Sequence, residues 1–152
     1  MFFLTTIVAL VSSFASVVTT RPTLPAPGHE DSFETTCNKW KIKQEDGNAW
    51  LEAYCHDNDG LLWHSVINLN HCIANDFGHL IGRAEGIFAN SCSDMKIGAD
   101  TTLNAQCAGG DDSRGSIRLS DILSNDNGQL YCFGIRGCAV DDSRCTDKPA
   151  RK

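Results

Sequence analysis

A fourteen-residue segment occurs twice in this chain, and that repetition limits the fold more than any other feature. Residues 67–80 read Ile-Asn-Leu-Asn-His-Cys-Ile-Ala-Asn-Asp-Phe-Gly-His-Leu, and residues 117–130 read Ile-Arg-Leu-Ser-Asp-Ile-Leu-Ser-Asn-Asp-Asn-Gly-Gln-Leu, fifty positions on with six identities. About one identity is expected by chance from average composition, so the pair reads as an internal repeat. The fold must accommodate two copies of one unit.

The cysteines follow the same duplication. Cys55 corresponds to Cys107 and Cys37 to Cys92, the second copy being two residues shorter in one loop and three in another. Bridges Cys37–Cys55 and Cys92–Cys107 are expected, each tying the first strand of its copy to the third and each stabilising by on the order of 3 kcal/mol. The other four, Cys72, Cys132, Cys138 and Cys145, allow three connectivities. The closeness of Cys138 and Cys145 in sequence suggests a small loop there, leaving Cys72 with Cys132, and the alternatives stay open.

Residues 2–11 are almost wholly apolar and uncharged, and Ser13-Phe14-Ala15 supplies small residues at the spacing that a signal peptidase accepts, so residues 1–15 read as a secretory signal. The run is too short to remain across a membrane. Residues 16–31 hold Pro22, Pro25, Pro27 and Gly28 and no periodic apolar pattern, which suggests an extended leader. All eight cysteines follow the signal, an even number on an oxidising route; four disulfides and no catalytic thiol are expected. The net charge of −6 argues against a phosphate-backbone partner.

Residues 33–36, 40–44, 49–54 and 64–68 are short runs rich in aromatic or β-branched residues or alternating with period two, separated by Asp46-Gly47 and Asp57-Asn58-Asp59-Gly60. The repeated segments place apolar residues at i, i+3 and i+4, room for one helical turn started by Asn70 or Ser120, before Asn75 to Gly78 and Asn125 to Gly128 turn the chain. Final strands are expected over 79–83 and 129–133. The expected class is all-β.

These residues resemble the cyanovirin-N homology domain, a small lectin fold of two tandem repeats. The pattern is Phe33 and Cys37; Leu51, Ala53 and Cys55; then Ile67, Leu69, Asn70, Ile73, Asn75, Gly78 and Leu80. It recurs as Phe88 and Cys92; Leu103, Ala105 and Cys107; then Ile117, Leu119, Leu123, Asn125, Gly128 and Leu130. The resemblance covers about residues 32–133, with repeats over 32–83 and 87–133, and leaves 134–152 as a polar cysteine-containing tail. It implies two pseudo-symmetric, strand-exchanged lobes, each a three-stranded sheet plus a β-hairpin, and that exchange gives Cys72–Cys132 a rationale. It also implies metal-free, non-catalytic binding of oligosaccharides, typically mannose-rich, by a monomer or a strand-exchanged homodimer.

Carried over residue by residue, the first sugar pocket comprises Thr35, Thr36, His56, Asp57, Asn58 and Asp59, closed by Ser124, Asn125, Asp126 and Asn127. The second comprises Gly86, Asn90, Ser91, Gly109, Gly110, Asp111 and Asp112, closed by Ala74, Asn75, Asp76 and Phe77. Clustered amides, carboxylates and hydroxyls on rigid turns suit sugar hydroxyls, which both donate and accept. Asn75 and Asn125 are also what a glycine turn requires for its own backbone, and the 57–59 loop can be read as a solvated hairpin tip. Binding members of the family often carry an acid before the turn glycine; this chain has Phe77 and Asn127. The second loop is shorter, with Gly109-Gly110 where side chains would grip, so the first pocket ranks higher. Phe77 can stack on a sugar or plug its pocket, with plugging favoured.

Other chemistry has weaker support. The five histidines lack zinc-ligand spacing once the cysteines are bridged. In a calcium loop starting at Asp57 the glycine would fall at the fourth place and Asn68 at the twelfth. Adjacent acids such as Asp141-Asp142 do not make the facing pair of a glycosidase. Of Trp40, Trp50 and Trp63, any can be a sugar platform, but at least two are expected in packing. The expectation is a secreted, mannose-type carbohydrate-binding protein that needs no metal or cofactor, inserts in no membrane and binds no nucleic acid. The alternative is a secreted interaction or defence protein that keeps the scaffold without sugar binding.

Overall fold

The computed structural model describes residues 31–110 and 114–141. The expected signal, nearly all of the leader, Asp111, Asp112 and Cys145 lie outside the described residues. Repeat one supplies β1 (Asp31–Ser32), a helical turn α1 (Phe33–Thr36), β2 (Cys37–Glu45), β3 (Asn48–His56), β4 (Leu62–Asn68), β5 (Ile73–Asp76) and β6 (His79–Gly82). Repeat two supplies β7 (Cys92–Ile97), β8 (Thr102–Cys107), β9 (Arg114–Arg118), β10 (Ser124–Asp126) and β11 (Gln129–Cys132), followed by β12 (Ile135–Arg136) and β13 (Cys138–Ala139). The fold is all-β.

Each lobe draws on both repeats. The antiparallel sheet β2-β3-β4 carries β13 on its outer edge, and hairpin β10-β11 of repeat two packs on β4. In the other lobe, sheet β7-β8-β9 packs against hairpin β5-β6 of repeat one. Cys72–Cys132 links the repeats, while Cys37–Cys55 and Cys92–Cys107 each bridge neighbouring strands. Cys138 is also disulfide-bonded.

Three hairpins turn through two residues that both have positive φ, the mirror-image turn whose twist matches paired strands. They are Asp46 and Gly47 (51° and 74°), Phe77 and Gly78 (49° and 93°), and Asn127 and Gly128 (49° and 87°). Repeat-related side chains form one core: Phe33, Phe88, Leu51, Leu103, Leu69, Leu119 and Leu130 are 0% exposed. Each such burial contributes roughly 1.5–3 kcal/mol.

Four local expectations are corrected. Residues 33–36 form a helical turn instead of a strand, because the Thr35 and Thr36 hydroxyls both donate to the Ser32 carbonyl at 3.0 Å and curl the chain. For that reason the first bridge ties β2 to β3, neighbours rather than first and third strands. The helical turns within the repeated segments, Leu69–His71 and Leu119–Asp121, start one residue before Asn70 and Ser120. Asn68 caps the first, and Asn70 instead donates to the Gly47 carbonyl at 2.8 Å and accepts from Ala89 N–H at 2.9 Å, tying three segments together. Finally, the chain after residue 133 continues the sheets: β12 pairs with β11 and β13 with β4, and Val140 N–H donates to the His64 carbonyl at 2.8 Å.

Candidate functional site

In the first lobe, strand exchange brings the turn after β10 against the loop after β3. Asn125 makes the junction. Its Oδ1 accepts from Gly128 N–H at 2.8 Å, which closes its own turn, and its Nδ2 donates to the His56 carbonyl at 2.7 Å. Asn58 N–H donates to Asn127 Oδ1 at 2.9 Å, so a second bond crosses the same junction. Helical turn α1, with Thr35 and Thr36, packs on β10 and β3, and Ser32 pairs with Ser124. The three segments expected to line the first pocket are therefore adjacent.

Within the loop, Asp57 acts as an organiser. Its Oδ1 accepts from Asp59 N–H (3.0 Å) and Leu61 N–H (2.7 Å), and its Oδ2 accepts from the Trp63 indole N–H at 2.7 Å. The indole bond is the main reason that the carboxyl is held below its usual value of 3.8. Asn58, Asp59, His56 and Asn127 are exposed. Asp126 is different: it is buried and ion-paired with Arg136 from β12, so its carboxylate serves the fold.

The second lobe repeats the clamp, with a closer backbone approach. Asn75 Oδ1 accepts from Gly78 N–H at 2.8 Å, and its Nδ2 donates to the Ala108 carbonyl at 2.8 Å and to Ser91 Oγ at 2.9 Å. Here the loop backbone lies directly on the turn backbone. A Cβ at Gly78 would come 3.0 Å from Gly110 N, and one at Gly109 would come 3.0 Å from Phe77 Cα. The glycine pair is needed for this approach. Phe77 is 79% exposed, so the expected plug is absent; the backbone contact closes the junction instead. Asp76 is exposed and Ala74 buried, bridged to Ile87. Gly86 lies so close to the Ile73 carbonyl that a Cβ would sit 2.2 Å from its oxygen. Asn90 Oδ1 faces Gly47 of the β2–β3 turn, away from the set assigned to it.

The tryptophans separate cleanly. Trp50 is 5% exposed, and Trp40 is partly buried against Phe33 with its indole N–H donating to the Gly98 carbonyl at 3.1 Å. Trp63 is 42% exposed and lies against Gly128, whose added Cβ would be 2.5 Å from Trp63 Cδ1. Arg136 was not among the expected site residues, and Trp63 was named only as one of three candidate platforms, outside both expected pocket sets. The exposed apolar run Leu61-Leu62-Trp63 at a hairpin end is the signal that could have singled out Trp63; nothing in the sequence pairs Arg136 with Asp126.

Among the described residues no group of three His, Cys, Asp or Glu side chains could hold a metal ion, and no helix is long and apolar enough to cross a membrane. A groove of about 540 Å³ on the β7-β8-β9 sheet is lined by Asp94, Lys96, Asn104, Ala105, Gln106 and Arg114. Among the described residues its lining includes none of those above and no aromatic side chain, so the turn–loop junctions remain the better candidates.

The comparisons with known proteins agree with this architecture. No curated protein matches the chain. Among solved structures, a MoCVNH3 variant in complex with (N-GlcNAc)4 is 20% identical, with TM-score 0.59, over 70% of this chain and 99% of that one. GzCVNH from Gibberella zeae is 29% identical, with TM-score 0.53, over 66% of this chain and 95% of that one. Microvirin, solved with mannobiose, is 23% identical, with TM-score 0.50, over 68% and 99%. The CVNH domain matches over residues 33–137, more than half of the sequence, and the chain belongs to the CVNH family.

Proposed function

We propose that this protein is a secreted carbohydrate-binding protein that engages mannose-type oligosaccharides at the first-lobe junction, non-covalently and without metal or turnover. The observation that carries the reading is the meeting of the 56–59 loop with the turn of the other repeat. It leaves exposed Asn58, Asp59 and Asn127 on a frame fixed by Asn125 and Asp57. Rigid donors and acceptors of both kinds are what sugar hydroxyls require. Family membership supports the binding class, and the sugars named with two of the solved relatives, (N-GlcNAc)4 and mannobiose, support the ligand class. Secretion is supported by the expected signal and by the bridged cysteines.

A glycan array with the wild type, Asp59→Ala and Asn127→Ala tests this. Binding to mannose-terminated glycans that weakens at least about tenfold in either variant is expected; equal binding by all three would remove the first-lobe assignment. The tight backbone closure of the second lobe favours one competent site per chain. The competing reading, a scaffold that has lost sugar binding, is favoured by silence across the array while a protein partner co-purifies.

A further inference from the structure

We infer that Trp63 is a stacking platform of the first-lobe site, receiving the apolar C–H face of one pyranose ring of a bound oligosaccharide. This inference rests on the carbohydrate-binding reading above and adds to it a residue outside the three segments that the family resemblance supplies.

The indole is fixed from two sides. Its N–H donates to Asp57 Oδ2 at 2.7 Å, and its Cγ and Cδ1 lie against Gly128, where an added Cβ would come within 2.8 and 2.5 Å of them. Those contacts use the pyrrole side of the ring, yet the residue is still 42% exposed. A large aromatic surface held in one orientation in water is set up for a flat apolar partner, with little rotamer freedom to lose on binding.

Its surroundings suit a sugar better than a purely apolar ligand. Asp57, which accepts the indole N–H, belongs to the same loop as Asn58 and Asp59, and Asn127 precedes the glycine that packs on the ring. A pyranose has the matching layout, an apolar face of C–H groups with hydroxyls around the rim. The two repeats also differ here. Fifty positions beyond Leu61-Leu62-Trp63 the chain has Asp111-Asp112-Ser113, so the scaffold does not itself demand an aromatic at this place. The turn of the second lobe rests on glycine backbone where that of the first rests on an indole.

The test combines calorimetry with quenching of tryptophan fluorescence by acrylamide, using mannobiose and (N-GlcNAc)4 as probes on the full protein, Trp63→Ala and Trp63→Phe. Trp40 and Trp50 are shielded, so quenching reports chiefly on Trp63. The expected result is that the better probe protects the wild type from quenching, that Trp63→Ala weakens it at least about tenfold, and that Trp63→Phe stays within about threefold. Wild-type binding with quenching unchanged and Trp63→Ala unaffected overturns the platform and leaves the lectin reading intact. Equal loss in both variants, without protection from quenching, assigns Trp63 to positioning Asp57 and also overturns the platform. Failure of the wild type to bind either probe or any glycan of the array overturns the lectin reading and this inference together.

Discussion

Asn125 joins the two repeats through one amide: Oδ1 closes its own turn on Gly128, and Nδ2 reaches across to the His56 carbonyl at 2.7 Å. Asn75 does the same with Gly78 and Ala108. Asn125 is 4% exposed, so its truncation leaves buried groups without partners. Asn125→Ala is expected to lower stability by about 1–3 kcal/mol. Asn75→Ala should cost less, because Asn75 is only half-buried and water can replace its bonds. Urea unfolding of the two variants checks the order; an equal or reversed loss contradicts it.

Phe77 holds a φ of 49° at a turn position and is 79% exposed, so it carries left-handed strain with little burial to offset it. Asparagine tolerates that conformation, and repeat two has Asn127 at the same place with the same φ. Phe77→Asn is expected to stabilise the protein by about 1 kcal/mol, read from the urea midpoint. A loss of stability would show that Phe77 makes contacts that its exposure does not suggest.

Much of this architecture can be read in the sequence because its determinants are local or repeated. Asp46-Gly47 specifies its hairpin, the paired Phe33 and Phe88 or Leu51 and Leu103 mark the core, and cysteine spacing indicates two bridges. The candidate site is less legible, since its geometry depends on partners far apart in the chain. Trp63 and Gly128 meet only after strand exchange, and Asp126 meets Arg136 only once β12 folds back on β11. Gly109 and Gly110 mislead for a different reason. A missing side chain reads as a missing ligand, whereas the backbone approach to Phe77 and Gly78 is what requires it.

Gly128 and Trp63 should be energetically coupled. Gly128→Ala forces a Cβ into the indole at a φ of 87° and is expected to cost about 2–3 kcal/mol, partly relieved when Trp63 is also replaced by Ala. A double-mutant cycle measures the coupling, and additive losses would contradict the contact. Gly78→Ala has no such rescue, because its neighbour is the Gly110 backbone.

Asp57 supplies a pH dependence of known sign. Its folded pKa is lowered, first by the Trp63 indole bond, so the associated stabilisation is fully present above the ordinary value of 3.8 and is lost as pH falls through the lowered one. Trp63→Phe removes the main cause, and the Asp57 titration followed by carboxyl NMR should move up towards 3.8. An unchanged titration would mean that the indole does not hold the carboxylate.

Backbone and indole N–H chemical shifts recorded during titration with the tightest-binding glycan of the array test the central claim most directly. The account predicts shifts at residues 56–59, at the Trp63 indole N–H and at residues 125–128, with residues 75–78 and 108–110 unmoved. Shifts confined to the second lobe, or binding that leaves both junctions unperturbed, would contradict it.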